Sequence, residues 1–137
     1  MDTIEEIVCS LAQKQRSDLD PPLKDSAELE KLGRQYRGAF PADLASLYRI
    51  TRGGFIQMDE FDSWRILSPK DIRNAPTDLK VDFVTAQRMP VVDCKDNDFI
   101  CYDFGIRNYI LMNIVDEIVF DEAESVVEFF NRKLDRT

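Results

Sequence analysis

Apolar residues recur at helical spacing in the first third of the chain and crowd into short, strand-length runs in the last. Ile4, Ile7, Val8, Leu11 and Ala12 predict an amphipathic helix, with Asp2 or Thr3 placed to cap it. The segment SDLDPPLKDS, with paired prolines, reads as a loop. Asp25 followed by Glu28 forms a variant capping box ahead of a second helix, whose inner face is Leu29, Leu32 and Tyr36. A third helix opens with Pro41 in its first turn and carries Leu44, Leu47 and Tyr48 as its apolar stripe. Gly53 and Gly54 are expected to stop it, because glycine takes the left-handed conformation without a side-chain clash.

From there the period changes. FIQMD and SWRIL read as two strands joined through the acidic turn Asp59, Glu60, Asp62, and a short helix is expected from Ser68 and Pro69 with Asp71 near its start. Residues 74–88 show no clear period. MPVVD, DFICYDF, YILMNIV and EIVF then follow as strands separated by polar or glycine-containing turns. In DFICYDF, Phe99 and Cys101 lie on one face and Ile100, Tyr102 and Phe104 on the other, the mark of a central strand covered on both sides. DEAESVVEFFNRKL is predicted to be a closing helix with Ala123, Val126, Val127, Phe130 and Leu134 inward, and with an acidic start (Asp121, Glu122, Glu124, Glu128) and a basic end that suit its dipole. The order predicts an α+β fold, a mainly antiparallel sheet packed with N-terminal helices and a closing C-terminal helix, in one domain over residues 1–137.

Charge narrows the partners. The net charge is −8, and residues 91–137 hold eleven acidic groups against five basic ones. Phosphate binding needs a concentrated basic surface, so nucleic acid is not expected as a ligand, while a basic protein is the complementary partner. The start MDTIEEIVCSLAQKQ lacks the basic segment and continuous apolar run of a secretory signal, and YILMNIV is far too short to span a membrane, so a cytosolic protein without membrane attachment is expected. Cys9, Cys94 and Cys101 are then free thiols in or near the core.

The chain has no histidine. That removes the usual general base near neutral pH, the Ser-His and Cys-His nucleophile pairs and most zinc sites. Asp93, Asp96 and Asp98 lack the glycine and terminal glutamate of a calcium loop; the twelfth position from Asp96 is Arg107. Cys94 and Cys101 are not in a CxxC arrangement, and Gly53-Gly54 has no GxxxxGK pattern. No catalytic, cofactor or metal residue is therefore assigned. Carboxylate pairs are the remaining catalytic option and would make a small hydrolase. As partner-binding residues the sequence offers Asp59, Glu60, Asp62, Asp93, Asp96 and Asp98 at predicted strand ends, with Trp64 as either a core residue or an interface anchor.

PADLASLYRITRGG, then WRILSPKDI, then MPVVDCKDNDFICYDF and an acidic-start helix resemble the SUKH superfamily over about residues 26–134. That superfamily includes Smi/Knr-type cell-wall regulators of fungi and many bacterial immunity proteins. Pro41, Leu44, Leu47, Tyr48, Gly53 and Gly54 match its helix and the glycine pair leading to the first strand, with Arg52 or Gly53 where asparagine is usual. Asp93, Asn97, Ile100, Tyr102 and Asp103 match its later segment, with Asp96 where glycine is common. The resemblance implies a noncatalytic binding domain, typically a cytosolic antidote that neutralises a cognate toxin domain by protein contact. Many such toxins are nucleases, which are basic. The alternative it implies is an adaptor of the Smi/Knr kind with no toxin partner.

Overall fold

Each apolar run after residue 87 ends in a polar turn that returns the chain alongside itself, and these runs join three earlier strands in one antiparallel sheet. The structure, a computed structural model, describes residues 6, 17–58 and 62–135. Seven strands are found among them: β1 (Ser17–Leu19), β2 (Gly54–Gln57), β3 (Ser63–Ile66), β4 (Arg88–Asp93), β5 (Asp98–Asp103), β6 (Asn108–Asn113) and β7 (Val119–Ala123). They lie side by side in chain order, every neighbouring pair antiparallel. Helices α1 (Ala27–Gln35) and α2 (Ala42–Tyr48) link β1 to β2. Helices α3 (Pro69–Asp78) and α4 (Phe83–Ala86) link β3 to β4, and α5 (Val126–Asp135) follows β7. The architecture is α+β.

The central strands explain why the sequence there is so apolar. Val92, Ile100, Tyr109, Trp64 and Ile66 share one sheet face by register, while Phe99, Cys101, Ile110 and Met112 share the other, and all are buried. On the first face Phe130 of α5 packs edge-on against Trp64, ring centroids 5.3 Å apart. There too, Asp43 of α2 accepts the Tyr109 hydroxyl proton at 2.6 Å through Oδ1 and the Val126 N–H at 3.3 Å through Oδ2. A single carboxylate thus ties β6 to α2 and also caps the start of α5. Burial, with Asp43 alongside, pushes the Tyr109 hydroxyl well above its ordinary range, so it stays a donor at neutral pH.

The predicted first helix lies outside the described residues apart from Glu6, as does Cys9. The segment SDLDPPLKDS is not all loop: Ser17–Leu19 pairs with β2, a strand too short to show a period. Helix α1 begins one residue after Ser26, which makes no side-chain cap; Asp25 instead accepts from the Ala27 N–H at 2.9 Å. The glycine pair does not close α2. That helix ends at Tyr48 with Arg49 as a right-handed cap, while Gly53 and Gly54, at φ 143° and 134°, are extended in the region open only to glycine and lead into β2.

Residues 74–88 complete α3, whose start at Ser68 is as expected, and add α4. Pro76 lies inside α3 and has no N–H to give the Ile72 carbonyl, and the buried Tyr36 hydroxyl donates to that carbonyl instead, at 3.2 Å. Tyr36→Phe is therefore expected to cost about 1–3 kcal/mol by leaving a buried carbonyl unpaired. In the Tyr36→Phe background, Pro76→Ala should recover part of that loss, because residue 76 regains its N–H. Equal stability of Tyr36→Phe and wild type in urea melts would rule this pairing out.

The closing helix also starts later than its sequence suggests. Asp121, Glu122 and Ala123 belong to β7, with Asp121 opposite Leu111 and Ala123 opposite Tyr109, so only Glu128 supplies the acidic first turn. Pairing to β6 and the distant cap from Asp43 decide this boundary.

Candidate functional site

The turn between β4 and β5 takes left-handed backbone at three successive non-glycine residues. Lys95, Asp96 and Asn97 all have positive φ, at 76°, 56° and 67°. Left-handed backbone costs roughly 1–2 kcal/mol per non-glycine residue, least for Asn and Asp. Local bonds hold it: Asp93 Oδ1 accepts from the Lys95 N–H at 2.9 Å, and the Cys94 N–H donates to the Asp98 carbonyl at 2.8 Å. From β6, the Asn113 side-chain amide donates to the Asp96 carbonyl at 3.2 Å and to Asp98 Oδ1 at 3.0 Å. The Asp96 backbone and the Asp98 side chain are thereby held at the rim of a cleft of about 310 Å³.

Trp64, Leu111 and Phe129 supply the apolar lining of that cleft, and Asp62, Asp96, Asp98 and Asp121 surround it with Arg132 and Lys133 of α5. Arg132 reaches Asp121 at 2.8 Å and Glu128 at 3.2 Å, and its guanidinium lies 5.6 Å from the centre of the Phe129 ring. Lys133 Nζ pairs with Asp62 Oδ2 at 2.5 Å. These pairs are partly solvated and add little to stability. Their importance is in showing what the lining accommodates: a planar cation over an aromatic face with carboxylates around it. Asp96 and Asp98 have no cationic partner among the described residues.

Cys94 also lines the cleft. Burial, reinforced by Asp93, raises its thiol far above the ordinary value, and burial pushes Cys101 up to about 12. Both thiols are protonated at neutral pH and are poor nucleophiles. Among the described residues no group of three or more His, Cys, Asp or Glu is placed to hold a metal ion. No described helix is long and apolar enough to cross a membrane.

The chain matches no protein-family model and no curated protein. Of the partner-binding residues expected from sequence, the fold brings Asp62, Trp64, Asp96 and Asp98 together. Trp64 is buried and serves as wall rather than as a projecting anchor. Asp93 points to the sheet face opposite Trp64, where it lies 3.9 Å from Arg65. Asp59 and Glu60 lie outside the described residues. Leu111 of β6 and Arg132 and Lys133 of α5 are not singled out by sequence as site residues, because nothing local shows that β6 and α5 pack beside the β4–β5 turn.

Proposed function

We propose that this domain binds a basic protein through the cleft, and that the partner is a toxin domain which it holds inactive in the cytoplasm. The observation that carries the reading is the pair Asp96 and Asp98, anchored by Asn113 beside an aromatic lining and with no cationic partner among the described residues. A basic side chain of a partner would complete there what Arg132 completes beside Phe129. The acidic excess of residues 91–137 would attract such a partner. The SUKH-like motifs support an immunity protein as the particular form of this binding. Occlusion by contact asks for no catalytic group on this chain.

The test is coexpression with a toxin encoded beside this chain. Cells carrying both should survive, and survival no better than with an empty vector sinks the toxin reading. With the purified pair, Asp96→Asn together with Asp98→Asn should slow association severalfold at low salt while leaving the fold intact, since Asn tolerates the left-handed backbone at position 96. The difference should shrink near 0.15 M salt, where charges are screened over about 8 Å. Unchanged association in both salts removes the cleft from the interface.

A further inference from the structure

We infer that the β6–β7 hairpin is a second contact for that partner, one that receives an apolar side chain carried in a cationic segment of polypeptide. The assignment rests on the reading of this molecule as a protein-binding domain. Val115 is 73% exposed, Ile118 53%, Val119 43% and Phe120 56%, an apolar surface concentrated in six consecutive residues.

The hairpin tip is tightly hydrogen-bonded. Asn113 Oδ1 accepts from the N–H groups of Val115 and Asp116 at 2.9 and 3.3 Å, and Asp116 Oδ1 accepts from Ile118 N–H at 3.0 Å. The Glu117 N–H donates to the Asn113 carbonyl at 2.9 Å, and the Asn113 N–H to that of Ile118 at 3.0 Å. A partner meets a surface already organised, with little ordering left to oppose binding. The register shifts from Leu111↔Asp121 to Met112↔Val119, so Phe120 is the extra residue of a bulge on this edge strand. A bulge disfavours the addition of another strand, leaving the side chains as the means of contact.

Charge selects the occupant. No lysine or arginine occurs between Arg107 and Arg132. Asp116 and Glu117 lie within the apolar run and Glu122 just beyond it, while Asp121 is already paired with Arg132 at 2.8 Å. A second copy would set carboxylate against carboxylate, and an anionic lipid surface or nucleic acid would be repelled by the same groups. A cationic segment with an apolar residue satisfies both features. Asn113 joins this hairpin to the Asp96 and Asp98 rim, so a basic partner can lie across both.

The test selects a phage-displayed library of random twelve-residue peptides on the intact protein. Enriched peptides should carry net positive charge and at least one Leu, Ile, Phe or Trp. They should bind Ile118→Ser/Phe120→Ser at least tenfold more weakly, with Val115→Ser as a milder variant and circular dichroism reporting the fold of each. Enrichment of neutral or acidic peptides, or undiminished binding by the folded variants, overturns the inference. So does a dimer in sedimentation equilibrium that Ile118→Ser dissociates, which would give the surface to a second copy. In the coexpression assay, full rescue by the hairpin variants removes this contact and leaves the cleft reading standing; loss of rescue in the wild type removes the toxin reading alone.

Discussion

Gly54→Val should destabilise the fold by roughly 2–6 kcal/mol, the sum of two separate penalties. At φ 134° a valine is forced into backbone geometry open only to glycine, worth about 1–3 kcal/mol. A Cβ built at this position would also lie 2.3 Å from the Asp18 carbonyl oxygen and 2.8 Å from the Leu19 Cα. Those atoms are backbone of β1, the paired strand, and cannot swing aside; such overpacking costs typically a further 1–3 kcal/mol. Urea denaturation measures the total directly. Gly105→Ala, at an exposed turn position without positive φ, is the control and should fall within about 1 kcal/mol of wild type. If Gly54→Val matched that control, the close approach of β1 to β2 would be wrong.

Phe130→Ala should cost a comparable amount, about 3–5 kcal/mol, because the ring is fully buried and its loss leaves a cavity under α5. Phe130→Leu keeps much of the volume and should cost less. The chain has one tryptophan, and Trp64 rests against this ring, so its fluorescence reports the same change. In the alanine variant Trp64 emission should shift to the red as water reaches the cavity side. Because Trp64 also walls the cleft, partner affinity should fall in step with the spectrum. An unshifted emission from a destabilised variant would separate the core from the cleft and refute that coupling.

The strands after residue 88 were legible because burial on both faces writes itself as near-continuous apolar residues, and DFICYDF is such a run. Ser68, Pro69 and Asp71 marked the start of α3 by local rules alone, and the Ser68 hydroxyl does accept the Asp71 N–H at 3.1 Å. Local rules failed where a distant partner decides. The start of α5 depends on Asp43, and β1 exists because β2 pairs with it. The glycines at 53 and 54 were recognisable as conformationally special, yet their use follows from the approach of β1 and β3 rather than from the helix before them. Half the site was readable as acidic turn residues. The rest comes from β3, β6, β7 and α5, and the position of α5 beside the β4–β5 turn has no counterpart in any short stretch of sequence.

Strand order that follows chain order has an entropic consequence. The β4–β5 connection spans residues 94–97, whereas the connection from β1 to β2 spans residues 20–53, a roughly eightfold longer stretch whose closure costs about 2 kcal/mol more. The meander from β4 to β7 therefore joins itself through short, inexpensive closures. The long connection from β1 to β2 is held by the buried faces of α1 and α2, but among the described residues β1 itself pairs over only three positions, so the β1–β2 pairing is the sheet contact most readily lost.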